Sequence, residues 1–245
     1  MSDSHQPVPS CAAWPADVGA PAARGGVLAV LLLVLLTVMG PPPAMAEDCG
    51  PVPLPGAAGP YDYVDSKFSW NLNDISQNHW VPYQREMANN RLQHALAQLY
   101  YLLVRVPNHY PGLFELGRIA QLHPGVTYVP ALAGMNETLA FPATPECYFD
   151  RAFRYRPKDP TLRMLFGLYY HKIHKLQEAV VQYEKAEAMD PESSEIQYNM
   201  GLVYFDLKDY ESAVSHAQKA YKLGYPLAGL RKKLVAAGKW PAGDG

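Results

Sequence analysis

The feature that most constrains the fold of this chain is an internal period. The segment 160–193, PTLRMLFGLYYHKIHKLQEAVVQYEKAEAMDPES, aligns without gaps on the segment 194–227, SEIQYNMGLVYFDLKDYESAVSHAQKAYKLGYPL, at an offset of 34 residues. Gly167 falls on Gly201, Tyr170 on Tyr204, Ala179 on Ala213 and Ala186 on Ala220. Asp190-Pro191 closes the first segment, and Pro226 arrives one place late in the second. A single supersecondary unit of this size cannot bury its own apolar face, so copies stack and each covers its neighbour. The small residues mark where two helices of a unit cross closely, and large ones such as Tyr170 and Tyr183 fill the adjoining space. Pro191 stops one helix and presets the turn into the next.

This spacing resembles the tetratricopeptide repeat (TPR) family, with Gly at position 8, an aromatic at 11, Ala at 20 and 27 and Pro near 32. The resemblance implies an all-α, right-handed helical solenoid. The frame extends backward, since Phe149, Ala152 and Pro157 occupy positions 24, 27 and 32 of the preceding unit. Gly117 takes position 8 of that unit but lies 50 residues before Gly167, so this repeat carries about sixteen extra residues, expected at 123–144. Ala95 and Pro107 take positions 20 and 32 of an earlier, degenerate unit. The expected organisation is therefore repeats at 76–109, 110–159, 160–193 and 194–227, followed by a capping helix and tail at 228–245. In the cap, Leu230, Leu234 and Val235 are expected on the last repeat, with Arg231, Lys232 and Lys233 facing water, because the end of a stack needs a polar outer face.

Upstream, residues 27–39 read VLAVLLLVLLTVM, preceded by Arg24 and followed by Ala44-Met45-Ala46. A basic residue, a short apolar core and a small-x-small site are the marks of a secretory signal peptide. The run is short of the ~20 residues that a spanning helix needs. Residues 1–46 are thus expected to be a signal peptide with a preceding extension, cleaved after Ala46; an uncleaved anchor is the alternative, and the only expected link to a membrane. The expected destination is the bacterial periplasm, or secretion. Cleavage removes Cys11 and leaves Cys49 and Cys147, an even count that in an oxidising compartment favours one disulfide over two unpaired thiols. The bond would close a loop of 98 residues and tie down a Pro/Gly-rich arm expected at 47–75.

The remaining chain would carry 20 basic and 21 acidic side chains, which offers no electrostatic footprint for nucleic acid. No GxSxG, Gly-rich phosphate loop or HExxH occurs. His171 and His174 are an HxxH pair without an evident third ligand, and Cys147 has no evident base beside it. No enzyme activity, cofactor, metal or small-molecule substrate is expected.

The TPR resemblance assigns positions 2, 5, 6, 9, 12 and 13 of each leading helix to a concave groove. Carried over residue by residue, these are Phe114, Glu115, Arg118 and Gln121, then Met164, Leu168, His171 and Lys172, then Tyr198, Asn199, Leu202 and Phe205. Such a face suits an extended peptide or amphipathic helix, with aromatic anchors and Arg118, Lys172 and Asn199 as polar pins. The apolar members also fit ordinary packing. Met164 and Leu168 stand where a carboxylate clamp would need polar groups. The expected function is an exported scaffold or assembly factor binding a protein or peptide. A peptide-holding chaperone or enzyme accessory subunit is the alternative.

Overall fold

The computed structural model describes residues 49–54, 56–126 and 144–241. The expected signal segment, and residues 127–143 of the expected insertion, lie outside the described residues. Every regular element among those described is helical.

Helix begins at Ser66, earlier than the arm expected at 47–75 allows. A 3-10 turn at Ser66–Phe68 leads into α1 (Ser69–Ile75), a π-helical stretch at Ser76–Trp80 and α2 (Val81–Ala88). Pro82 gives the π-helical stretch its physical reason. Proline has no N–H and its ring crowds the carbonyl one turn back, and a widened turn relieves that crowding. The Val81 N–H accordingly bonds the Ser76 carbonyl, five residues back.

Then come α3 (Leu92–Arg105), α4 (Tyr110–Leu122), α5 (Pro145–Tyr155), α6 (Pro160–Lys172), α7 (Leu176–Met189), α8 (Ser194–Asp206), α9 (Tyr210–Lys222) and α10 (Gly229–Ala236). Half of the starts of α1–α10 are set by a side-chain cap that satisfies an orphan N–H of the first turn. His109 caps α4, Thr144 α5, Asp159 α6, Ser193 α8 and Asp209 α9. Prolines at Pro111, Pro145 and Pro160 fill first-turn positions where no N–H is needed. The ends turn through left-handed residues, Asn90 after α2, His174 after α6, Lys208 after α8 and Gly224 after α9.

The helices pack as hairpins, α2 on α3, α6 on α7 and α8 on α9, and α4 lies on α6 as α7 lies on α8. Close crossing needs a missing side chain. A Cβ on Gly167 would stand 2.7 Å from the Tyr183 ring, and one on Gly201 would stand 2.5 Å from Leu230 and 3.2 Å from the Ala213 carbonyl. Ala179, Ala186, Ala213, Ala217 and Ala220 are fully buried at these crossings. Gly117 departs from the pattern, because its nearest neighbour is the Tyr169 Cα on α6, 3.3 Å from an added Cβ, and not α5. In the interrupted repeat the large side chains occupy the space on α5 instead, where Phe149 stacks on Phe166 and Phe153 meets it at a tilt, with ring centroids 4.6 and 5.5 Å apart.

The arm runs across the turns that follow α3 and α5. Cys49 is bonded to Cys147 on α5, with Cα atoms 5.1 Å apart. The buried Arg151 donates to the carbonyls of Cys49 and Pro51 at 3.1 and 2.7 Å. Tyr61 N–H donates to the Arg105 carbonyl at 2.7 Å, and Gly59 must be glycine there, with φ +104° and that same oxygen 2.8 Å from an added Cβ. Asp62 accepts from Asn108 at 2.8 Å and pairs with Arg156 at 2.7 Å, joining the arm to both turns. The described chain is an all-α solenoid of helical hairpins with an irregular N-terminal arm and a short C-terminal capping helix.

Candidate functional site

The residues assigned to the groove lie on α4, α6 and α8, the leading helices of their hairpins, and the structure divides them by accessibility. Met164, 3% exposed, is core, packed with Ala179, Tyr183, Ile196 and Met200. Leu168 is buried as well. Tyr198 stacks on Tyr225, with centroids 4.1 Å apart, and its hydroxyl accepts from Leu230 N–H at 3.1 Å. Asn199 is fully buried, and its amide has no hydrogen-bond partner among the described residues. These four therefore leave the groove assignment and join the packing. Each leading helix lies against the next one as well as against its own partner, α4 on α6, α6 on α8 and α8 on α10, so flank residues are covered. The remaining members stay accessible: Gln121 is exposed, and Phe114, Glu115, Arg118, His171, Lys172, Leu202 and Phe205 are half-buried.

The polar members are organised, not free. Tyr83 of α2 donates to Glu115 at 2.5 Å, and Arg118 donates from Nε to the same oxygen at 2.6 Å. Burial and the neighbouring Glu115 charge both raise the Tyr83 pKa, so the phenol stays a donor. Burial works against the Arg118 charge, but its bonds to Glu115 outweigh that and hold its pKa up. Arg118 is thus committed to its own helix and is not a spare pin. His171 bridges from α6 to Asp206 of α8 at 2.8 Å. Burial raises the Asp206 carboxyl, yet the His171 bond and the charges of His171, Lys233 and Lys208 win and lower it. His174, the second member of the HxxH pair, sits in the left-handed turn, φ +60°. Among the described residues no three His, Cys, Asp or Glu side chains converge as a metal would require.

Two places bring accessible groups together. Gln121 and Lys172 line a pocket of about 400 Å³ with His123, His174 and Tyr169, where α4 and α6 end. A helix C-terminus favours a cation such as Lys172, so its presence there needs no ligand. At the other place Phe205 meets Tyr210 edge-on with centroids 5.6 Å apart, and Lys208 and Lys233 each lie 5.5 Å from the Phe205 ring centre. Sequence reasoning places Lys233 in solvent but misses this convergence, which depends on how α10 folds back over α8. No described helix is long and apolar enough to cross a membrane.

A family model described as a TPR repeat matches residues 167–208, from the middle of α6 to the turn after α8. No curated protein matches the chain. Repeats of this family commonly bind proteins or peptides, and the match marks a protein-interaction module.

Proposed function

We propose, from the tetratricopeptide repeat at residues 167–208, that this chain is an exported scaffold or assembly factor that holds a protein or peptide segment along its leading helices. The observation that carries the reading is the accessible strip of Phe114, Gln121, Lys172, Leu202 and Phe205 on successive leading helices. Apolar side chains stand there beside hydrogen-bonding ones, Gln121 and Lys172, a combination that suits a bound peptide segment. Its role is binding, not catalysis. Export is supported by the apolar run at 27–39 with its small-x-small site, and by the Cys49–Cys147 disulfide, which belongs to oxidising compartments.

The test is site-specific photocrosslinking in the native cell, with the full chain carrying a benzophenone side chain at Gln121, Leu202 or, as control, Glu184 on the exposed face of α7. One protein should be crosslinked from both 121 and 202 and not from 184. Crosslinks confined to 184 would move the site to the opposite face, and cytoplasmic protein starting at Met1 would remove export from the reading.

A further inference from the structure

We propose that the edge where α8, α9 and α10 meet is a docking site for an acidic peptide segment. The inference deepens the reading above, on which it rests, by naming the charge of the partner. Its centre is the half-buried pair Phe205 and Tyr210. Lys208, Lys233 and Lys239 surround this pair, the first two 5.5 Å from the Phe205 ring centre and the third 5.2 Å from that of Tyr210. All three lysines are exposed, and among the described residues none stands in an ion pair.

The nearby carboxylates are already engaged. Asp206 accepts from His171 at 2.8 Å while also lying in the field of Lys233 and Lys208, and Asp209 caps α9 by accepting from the Ser212 N–H and hydroxyl at 3.1 and 2.7 Å. Glu211 is the one further acid over 207–241, against seven basic side chains. The preceding stretch, 176–206, has the reverse balance, seven acidic and one basic. Positive charge is therefore gathered at this end of the solenoid. Lys208 also holds a left-handed backbone, φ +66°, which glycine or asparagine adopts at less cost. A lysine at that turn has no local conformational advantage, while its ammonium completes the cluster.

The rings keep the ammonium groups close together, so less side-chain freedom is lost when a carboxylate arrives. Phe205 belongs to both the accessible strip and this cluster. That shared residue joins the cluster to the strip proposed to hold a segment, which favours a peptide over a membrane surface.

The experiment uses fluorescence anisotropy of the full chain with a fluorescein-labelled peptide of alternating Asp and Leu, and a second peptide with Asn for each Asp. The acidic peptide should bind about tenfold more tightly than the neutral one and weaken as salt rises from about 50 to about 300 mM. The triple variant Lys208→Gln, Lys233→Gln, Lys239→Gln alters only exposed side chains, and should lose about tenfold for the acidic peptide with an unchanged thermal melt. Equal binding of the two peptides, or unchanged binding by a folded triple variant, overturns the proposal. Vesicles of phosphatidylglycerol and phosphatidylcholine serve as a competing probe, and lysine-dependent binding to them without peptide binding also overturns it. If crosslinks from 121 and 202 persist while the acidic peptide is ignored, the groove reading stands and the charge assignment falls. If crosslinks and peptide binding are both absent, the groove reading itself falls.

Discussion

His109 starts α4 by accepting the Gly112 N–H on Nδ1 at 3.0 Å, enclosed by the rings of Trp80 and Tyr63 at 5.2 and 4.8 Å. Burial lowers its pKa from 6.5 to about 3. Protonation at Nδ1 would also break the cap. Because the folded pKa lies below the unfolded one, the unfolded chain binds the extra proton between them. The contribution is complete above about pH 6.5 and is lost as pH falls toward 3, at about 1.4 kcal/mol per pH unit. Burial lowers His79 and His216 in the same direction. Urea melts at about pH 7, 6 and 5 should show falling midpoints, with a shallower fall in His109→Asn, which retains a cap but does not titrate. Equal slopes in the two proteins would refute the role given to His109. At Gly167 two effects compete. Alanine gains about 1 kcal/mol of helix propensity, but its Cβ would stand 2.7 Å from the fully buried Tyr183 ring, and overpacking costs about 1–3 kcal/mol. Overpacking prevails, and Gly167→Ala should lower stability by up to about 2 kcal/mol in thermal melts. Gly117→Ala, with 3.3 Å to the nearest atom, should change it less.

At the scale of elements, the hairpins were legible because their determinants are local. Gly167, Ala179, Pro191 and the caps Asp159 and Ser193 lie within a few turns of what they control. The arm was less legible. Its hydrogen bonds to Arg105, Asn108, Arg151 and Arg156 reach across many residues, and a composition rich in Pro and Gly says only that no helix forms. The groove was legible as a frame and not as a surface: periodicity places Met164, Tyr198 and Asn199 on a face, but the neighbouring leading helix decides which part of that face is covered. Gly117 shows the same limit, since its position in the repeat was readable while its partner helix was not. The disulfide is the arm's strongest tie, and a closed loop of 98 residues stabilises by roughly 4–5 kcal/mol in chain-entropy models, with smaller values common in practice. Cys49→Ser with Cys147→Ser should therefore lose about 2–4 kcal/mol in urea melts. Amide exchange should quicken in 49–65 and in the turns after α3 and α5, and remain unchanged in α8 and α9. Uniform acceleration along the chain would contradict so local a role for the arm.

Across the whole molecule, most contacts join elements adjacent in the stack, as expected of a solenoid whose stability is a sum of units and nearest-neighbour interfaces. The arm is the exception, and its long reach has a consequence in time. Synthesis proceeds from the N-terminus at about 5–20 residues per second, so Cys49 precedes Cys147 by roughly 5–20 s. During that interval α2 and α3 already have each other, whereas Arg151 and Arg156, which hold the arm, do not yet exist. The later hairpins, α6 with α7 and α8 with α9, need no such delay, because each second helix follows its first within one turn. The stretch of this domain that is made first is thus among the last of its N-terminal half to be seated, and until then it is a tether with a thiol awaiting its mate.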